Sequence, residues 1–125
     1  MKTYFFIPAN NQRFIEKSNH INADVFIFDL EDAIIDSEID SAIENLQLVT
    51  QKLEKFVRIG FNSNTSFQYL DTLLKLGFVN FVLPKIESLS ALLLIRNYVA
   101  ERAENFKLIL LIESPKALMN LPELI

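Results

Sequence analysis

Four apolar stretches of this chain each run directly into a charged residue. The charges are Asp29 after residues 25–28, Arg58 after 56–57, Lys85 after 81–84, and Glu113 after 108–112. Each stretch has the composition of a buried strand. In parallel α/β proteins, ligands bind at the carboxyl ends of the strands. We therefore predict one polar site, assembled at these strand ends from distant parts of the chain.

The segment Asp29-Leu30-Glu31-Asp32 places three carboxylates within four positions beyond a predicted strand. Carboxylates at this density repel one another unless a cation or hydrogen-bond donors lie nearby. The segment therefore either lies beside such groups or forms a solvated acidic turn in which an aspartate caps a following helix. An aspartyl-phosphate site of the haloacid-dehalogenase type requires the pattern D-x-D, and Glu31 excludes it.

Basic residues at two strand ends extend the candidate site. Arg58 is suited to a bidentate grip on a carboxylate or on an enolate oxygen derived from a thioester. The alternative for this residue is a salt bridge to a neighbouring acid, Asp29 or Glu31. Lys85 and Glu87 lie just beyond another strand, where they either form a paired loop or contact a substrate.

Glu113 lies at the end of the last predicted strand, just before Ser114. A carboxylate in this position is a suitable ligand for a hard cation. It would also interact favourably with a helix N-terminus without any ligand. His20, the only histidine, lies outside any strand end, so we predict a surface position for it. A nucleophile activated by histidine is therefore not expected.

The composition excludes several other kinds of site. The chain has 125 residues, about the length of one domain, and 50% of them are hydrophobic, enough for a sizeable core. With only two glycines it lacks the glycine-rich phosphate loops, and without cysteine it lacks disulfides, thiol nucleophiles and Cys-zinc sites. A net charge of −4 without a basic cluster argues against a nucleic-acid partner.

The sequence also bears on location in the cell. No apolar run reaches the ~18 residues that span a bilayer, and the first residues lack the layout of a signal peptide. The absence of cysteine fits a reducing compartment. We therefore expect a cytoplasmic protein that does not bind membranes.

Strand and helix patterns alternate along the whole chain. The predicted strands cover residues 4–7, 25–28, 56–59, 78–83 and 107–112. Helical patterns follow each strand, at residues 11–18, 41–53, 65–76, 88–104 and from 114 onward. This alternation predicts an α/β fold with a parallel sheet covered by helices. Length alone favours a doubly wound open sheet, but the same units also fit the first part of an eight-unit barrel, which needs about 250 residues.

Local signals mark several helix ends. Ser41 and Glu44 have the spacing of a capping box, which predicts that a helix begins at Ser41. Ser114 is placed to cap a helix with Pro115 at its first position, where the missing N–H has no cost. Gly77 is placed to end the helix before it.

The strand-end segments, read in order, form a recognisable series. They are Phe6-Ile7-Pro8 with Arg13, Asp29-Leu30-Glu31-Asp32-Ala33, Val57-Arg58-Ile59, Leu83-Pro84-Lys85-Ile86-Glu87-Ser88, Leu111-Ile112-Glu113-Ser114 and Leu121-Pro122-Glu123. In order and approximate spacing this series resembles the citrate lyase β-subunit-like proteins of the HpcH/HpaI aldolase/citrate lyase superfamily. The resemblance covers essentially the whole chain.

The resemblance implies a TIM-barrel type of fold, with the first five of eight β/α units present here, in an oligomeric enzyme. Members of the superfamily make or break a carbon–carbon bond next to a thioester or keto acid. A divalent cation, usually Mg²⁺, holds the keto-acid portion and stabilises the enolate-like species. We therefore expect a lyase that acts on citryl- or malyl-type thioesters of coenzyme A or an acyl carrier, and that assembles as a homo-oligomer.

The resemblance also implies roles for individual residues. Glu113 would be the first protein ligand of the metal. Arg58 would bind a substrate carboxylate and help to stabilise developing negative charge. Arg13 and Lys85 would line the substrate pocket. Three acids would surround the waters of the metal or position an acid/base group: Asp29, Glu31 and Asp32.

The chain departs from the superfamily pattern in ways that bear on activity. A second metal-binding aspartate follows a later strand in the superfamily, and this sequence stops at Ile125, before any such strand. Three β/α units are missing, and Pro8-Ala9-Asn10 stands where relatives have Pro-Gly. We therefore expect residues 1–125 to be a single partial barrel domain that is inactive alone. The alternative is a non-catalytic relative that serves as a binding or assembly module.

Overall fold

A computed structural model describes residues 2–31, 35–50, 54–61, 66–112, 114–119 and 121–124. Its strands are β1 (Tyr4–Pro8), β2 (Val25–Asp29), β3 (Glu54–Arg58), β4 (Asn80–Leu83) and β5 (Lys107–Leu110). Its helices are α1 (Gln12–Ser18), α2 (Ile39–Asn45), α3 (Ser66–Lys75), α4 (Leu89–Ala100), α5 (Pro115–Met119) and α6 (Leu121–Leu124). The strands form a five-stranded sheet in the order β1-β2-β3-β4-β5. This sequential α/β order is the one that the alternating sequence pattern predicts.

The chain divides into two compact units, Met1–Ile59 and Gly60–Ile125. In the first unit, β2 pairs in parallel with β1 on one side and with β3 on the other. All five residues of β2 are buried. Its unbroken apolar run is typical of a parallel strand that is covered on both faces. The register places Asp29 beside Pro8 and beside Arg58 at the carboxyl end of the strand.

The helix after β2 does not begin where the capping-box pattern predicts. A 3₁₀ turn over Asp36–Glu38 leads directly into α2 at Ile39, so Ser41 lies inside the helix. Its hydroxyl donates to the carbonyl of Glu38 at 3.0 Å, a local bond that serine readily makes. The prediction of a capping box at Ser41 is therefore wrong, because the preceding turn already supplies the start of the helix.

In the second unit, β4 pairs in parallel with β5, and the chain also forms α3, α4, α5 and α6. The helix before β4, α3, ends as predicted at Gly77, which adopts a φ of 97°. The amide of Gly77 donates to Leu74 and that of Phe78 donates to Leu73, both at 3.1 Å. This pair of bonds is a Schellman motif, which turns the chain from the helix into β4.

The helix between β4 and β5, α4, begins after Ser88, whose side chain accepts a bond from the amide of Ala91 at 3.3 Å. This N-cap was predicted from the sequence. The helix turns Ile95 and Val99 into the core, where they are 2% and 0% exposed. None of the described helices is both long enough and apolar enough to span a bilayer.

Candidate functional site

The carboxyl ends of β2 and β3 bring Asp29 and Arg58 together. The two residues are Cα partners in the parallel register. The Nε of Arg58 donates to Oδ1 of Asp29 at 3.0 Å, and its terminal nitrogen Nη2 donates to Oδ2. The side chain of Arg58 is 11% exposed and that of Asp29 is 10% exposed. The sequence left open whether Arg58 would pair with a neighbouring acid, and the structure shows that Asp29 is its partner.

Further contacts fix this pair in place. Oδ1 of Asp29 also accepts a bond from the backbone amide of Glu31 at 2.8 Å, which holds the turn after β2. The guanidinium carbon of Arg58 lies 5.4 Å from the centre of the Phe6 ring on β1. A cation over an aromatic face is attracted by the negative charge of that face. Arg58 is therefore oriented by a carboxylate from β2 and by a ring from β1.

The pair gives the first unit a fixed cation at a strand end. A guanidinium has five N–H donors, and the bonds to Asp29 engage two of its nitrogens. Fixed donors of this kind can stabilise negative charge that develops on a bound carbonyl compound. Part of the dense acidic segment thus lies beside hydrogen-bond donors, as the mutual repulsion of its carboxylates requires.

The loop after β4 carries a second group of polar residues, in the second unit. Pro84 and Ile86 are buried, while Lys85 between them is exposed and has a φ of 58°. A positive φ is uncommon for a residue other than glycine and is often found at functional sites. The turn therefore presents Lys85 outward from an anchored backbone.

The segment after β5 is tied to this loop. The hydroxyl of Ser114 donates to Oε2 of Glu87 at 2.6 Å and accepts a bond from the amide of Ala117 at 3.1 Å. Ser114 thus caps α5, as predicted, and also holds a residue 27 positions earlier in the chain. No sequence pattern predicts this second contact, since the position of Glu87 after β4 indicated only a paired loop or a contact with substrate.

Among the remaining residues that the sequence singled out, the structure describes Arg13, Glu31 and His20. Arg13 lies in the first turn of α1 and is exposed, and Glu31 is half-buried in the turn after β2. His20 is exposed in the turn after α1, in agreement with its predicted surface position. Asp32 and Glu113 lie outside the described residues.

A metal site of the predicted kind needs several oxygen ligands close to one another. Among the residues that the structure describes, no group of three or more His, Cys, Asp or Glu side chains is placed to hold a metal ion. Both carboxylate oxygens of Asp29 accept bonds from Arg58, so the carboxylate of Asp29 already neutralises a cationic side chain of the protein. The predicted metal ligand, Glu113, carries a carboxylate, which is a hard oxygen ligand of the kind Mg²⁺ prefers.

Solved structures with the same fold include three informative examples. The citrate lyase β subunit from M. tuberculosis, complexed with oxaloacetate and magnesium, has a TM-score of 0.76 and 24% identity over 96% of this chain. CitE from M. tuberculosis, in complex with magnesium, acetoacetate and coenzyme A, has a TM-score of 0.75 and 24% identity over 94% of this chain. RipC from Yersinia pestis has a TM-score of 0.69 and 25% identity over 95%.

This chain spans about half the length of these solved structures, with coverage of 51%, 42% and 49%, respectively. No curated protein sequence matches the chain significantly. The likeness in fold confirms the predicted parallel β/α units of the TIM-barrel type. The sequence profile of one family, HpcH/HpaI aldolase/citrate lyase, matches residues 2–125. On this match over nearly its full length, the chain belongs to the HpcH/HpaI aldolase/citrate lyase family.

Proposed function

We propose that this chain is part of a Mg²⁺-dependent carbon–carbon lyase that cleaves citryl- or malyl-type thioesters, or catalyses the reverse condensation. The observation that carries the proposal is the ion pair of Asp29 and Arg58 at the carboxyl ends of adjacent parallel strands. Ligands of parallel α/β proteins bind at this edge. The family match supports a lyase type of chemistry.

The reaction needs positive charge close to a carbonyl group. When the bond next to a thioester or keto acid breaks, negative charge develops on the neighbouring carbonyl oxygen. Arg58 binds a carboxylate of the substrate and stabilises this charge, and Asp29 keeps the guanidinium in position. The Mg²⁺, when bound, supplies further positive charge to the keto-acid oxygens.

The other candidate residues have proposed roles in binding the metal ion, its water molecules and the substrate. Glu113 is the protein ligand of Mg²⁺. Glu31 and Asp32 hold the water molecules of the site or position an acid/base group. Arg13 and Lys85 bind the substrate, and the outward direction of Lys85 at its positive φ suits contact with an anionic acyl carrier.

The partners of the protein follow from this chemistry. The substrate is a thioester of coenzyme A or of an acyl carrier protein, a proposal supported by the coenzyme A and acetoacetate bound to the M. tuberculosis CitE structure. We propose a homo-oligomer in the cytoplasm, without nucleic-acid or membrane partners. The net charge of −4 supports the absence of a nucleic-acid partner.

A second candidate is a non-catalytic relative that binds or assembles with other chains. The observation that favours it is the two-point bond between Arg58 and Asp29, in which each charge neutralises the other without any ligand. Such a module would keep the fold and the strand-end charges without completing a metal site.

One assay distinguishes the two candidates. The full-length protein that contains this chain is incubated with citryl-CoA or malyl-CoA and Mg²⁺, and the release of the keto acid or acetyl-CoA is followed. The lyase predicts turnover that depends on Mg²⁺ and that Glu113→Gln abolishes. Absence of turnover with both thioesters, together with normal folding, would favour the non-catalytic module.

A further inference from the structure

Phe6 and Arg58 lie on the same face of the sheet, although their strands are not neighbours. The register aligns Phe6 of β1 with Ile27 of β2, and Ile27 with Phe56 of β3. Side chains two residues apart along a strand point to the same face. Asp29 and Arg58 each lie two residues further along their strands, and they therefore share this face with Phe6. Arg58 can contact Phe6 only by reaching from β3 across β2.

The contacts of Arg58 show that its side chain makes this crossing. Its Nε donates to Oδ1 of Asp29 on β2 at 3.0 Å, and its Nη2 donates to Oδ2 of the same carboxylate. Its guanidinium carbon lies 5.4 Å from the centre of the Phe6 ring on β1. A cation is attracted to an aromatic face within about 6 Å of the ring centre. The guanidinium is therefore held over the end of β2 by residues of two strands other than its own.

The bonds to Asp29 leave one motion of the guanidinium unrestricted. They hold two of its nitrogen atoms, and a planar group that is held along one line can still tilt about that line. The ring of Phe6 contacts the guanidinium at a third place and limits this tilt. Groups that stabilise developing charge are most effective when their orientation is set before the reaction. The ring thus completes a three-point support for Arg58.

We propose that Phe6 is a positioning residue that holds the guanidinium of Arg58 in the orientation in which it contacts substrate. The inference rests on the proposed function, in which Arg58 binds a substrate carboxylate and stabilises developing negative charge. In this role Phe6 acts only through Arg58. The property that matters is the negative face of the ring, so an aliphatic side chain of similar size cannot replace it.

Kinetic measurements on the full-length protein test this role. Phe6→Leu keeps an apolar side chain but removes the aromatic face, and it should lower kcat/KM for thioester cleavage about fivefold, the size expected of one cation–π contact. Phe6→Tyr retains the face and should keep kcat/KM close to that of the wild type. In an Arg58→Ala background, Phe6→Leu should cause little further loss, because the two residues act through one contact.

Phe5→Leu is the matched control. Phe5 precedes Phe6 on β1 and is similarly exposed, at 43% against 49%, but its side chain points to the opposite face of the sheet. The control variant therefore removes the same ring from the same strand without removing the contact to Arg58. Its kcat/KM should equal that of the wild type.

A spectroscopic measurement reports on the guanidinium itself. In heteronuclear NMR spectra of the full-length protein, the Nε–H signal of Arg58 is identified by its absence in Arg58→Lys. An aromatic ring changes the chemical shift of protons near its face. The signal should therefore move in Phe6→Leu and stay in place in Phe6→Tyr and Phe5→Leu.

The possible failures are distinguishable. If Phe6→Leu matches the wild type in both measurements while Arg58→Ala loses activity, the positioning role is wrong and the proposed function stands. If Arg58→Ala turns over substrate normally, the proposed role of Arg58 is wrong, and the positioning role falls with it. Equal losses of kcat/KM in Phe6→Tyr and Phe6→Leu would show that the aromatic face is not what supports Arg58, and would also overturn the positioning role.

Discussion

Asp29 and Arg58 are partners in the register of two parallel strands, and their side chains form a two-point ion pair. The pair is almost completely shielded from water, with side chains 10% and 11% exposed. Desolvation makes such a pair a weak source of net stability, but removing one partner leaves a shielded charge without its counterion. The pair therefore links the stability of the first unit to the geometry of the proposed site.

The first prediction concerns the stability of the fold. Asp29→Ala should lower the free energy of unfolding by about 3 kcal/mol, because it removes the carboxylate that neutralises Arg58 in a shielded position. Urea denaturation at neutral pH measures the change. Asp40→Ala removes an exposed aspartate on α2 and serves as the control, with an expected change of about 0.5 kcal/mol or less. Equal stability of the two variants would contradict the prediction.

The second prediction concerns catalysis in the full-length protein. Arg58→Ala should lower kcat for thioester cleavage by about 10²–10³-fold, the effect of losing one donor that stabilises developing charge. Arg58→Lys should restore little activity, because an ammonium group cannot reproduce the planar two-point grip on Asp29 and a carboxylate. Folding of each variant is confirmed by circular dichroism before the assay. Near-normal turnover in Arg58→Ala would remove Arg58 from the mechanism.

The third prediction concerns the pH dependence of stability that arises from ion pairs between α3 and the segment after α4. The hydrogen bond from Lys75 is the main cause that lowers the pKa of Asp71 below its ordinary value of 3.8, and Arg102 adds to it. Lys75 lies 2.9 Å and Arg102 3.6 Å from the carboxylate oxygens. A pKa that is lower in the folded than in the unfolded chain stabilises the fold above the unfolded value. This contribution is lost as the pH falls through the folded value.

The measurement compares wild type with Asp71→Asn by urea denaturation across pH. The difference in unfolding free energy should be present at pH 7 and should shrink as the pH falls below about 3.8, the ordinary pKa of the group. High salt should also reduce it, because the pair is accessible to solvent. A difference that stays constant down to pH 2 would show that the ionised carboxylate is not its source.

The fourth prediction tests the turn between α3 and β4. Gly77→Ala should destabilise the protein by about 1 kcal/mol, because Gly77 has a φ of 97° that residues with a Cβ adopt with strain. An added Cβ would meet no atom within 4 Å, so the loss would come from the backbone alone. Gly77→Asn should be less destabilising than Gly77→Ala, because asparagine tolerates the left-handed region better. Thermal denaturation of both variants shows which of them has the lower stability.

The fifth prediction concerns assembly. β1 ends the strand order, and its residues Tyr4, Phe5 and Phe6 are 50%, 43% and 49% exposed. An exposed apolar edge strand is a template for pairing with another chain. We expect the 125-residue chain to self-associate with rising concentration in light scattering, and Tyr4→Lys, which places a charge on this edge, to reduce the association. A stable monomer at all concentrations would contradict the expected association through β1.

Much of the fold can be read from local sequence pattern. The continuous apolar run of β2 predicts a strand buried on both faces, because such a run can be accommodated only where no face meets water. Ser88, Ser114 and Gly77 mark helix ends through bonds and backbone conformations that involve only nearby residues. Ser41 shows the limit of this reasoning: a single 3₁₀ turn has no periodicity of its own, so the earlier helix start was not visible.

The sequence by itself determined which chemical groups stand at the strand ends, because strand length and the following charge are both local properties. Only the tertiary structure decided how these groups pair. Asp29 meets Arg58 across 29 positions, and Glu87 meets Ser114 across 27. Each contact depends on the register of two strands and on side-chain orientation, which a linear pattern does not specify. The sequence therefore names the candidate residues, while the packing of neighbouring strands selects their partners.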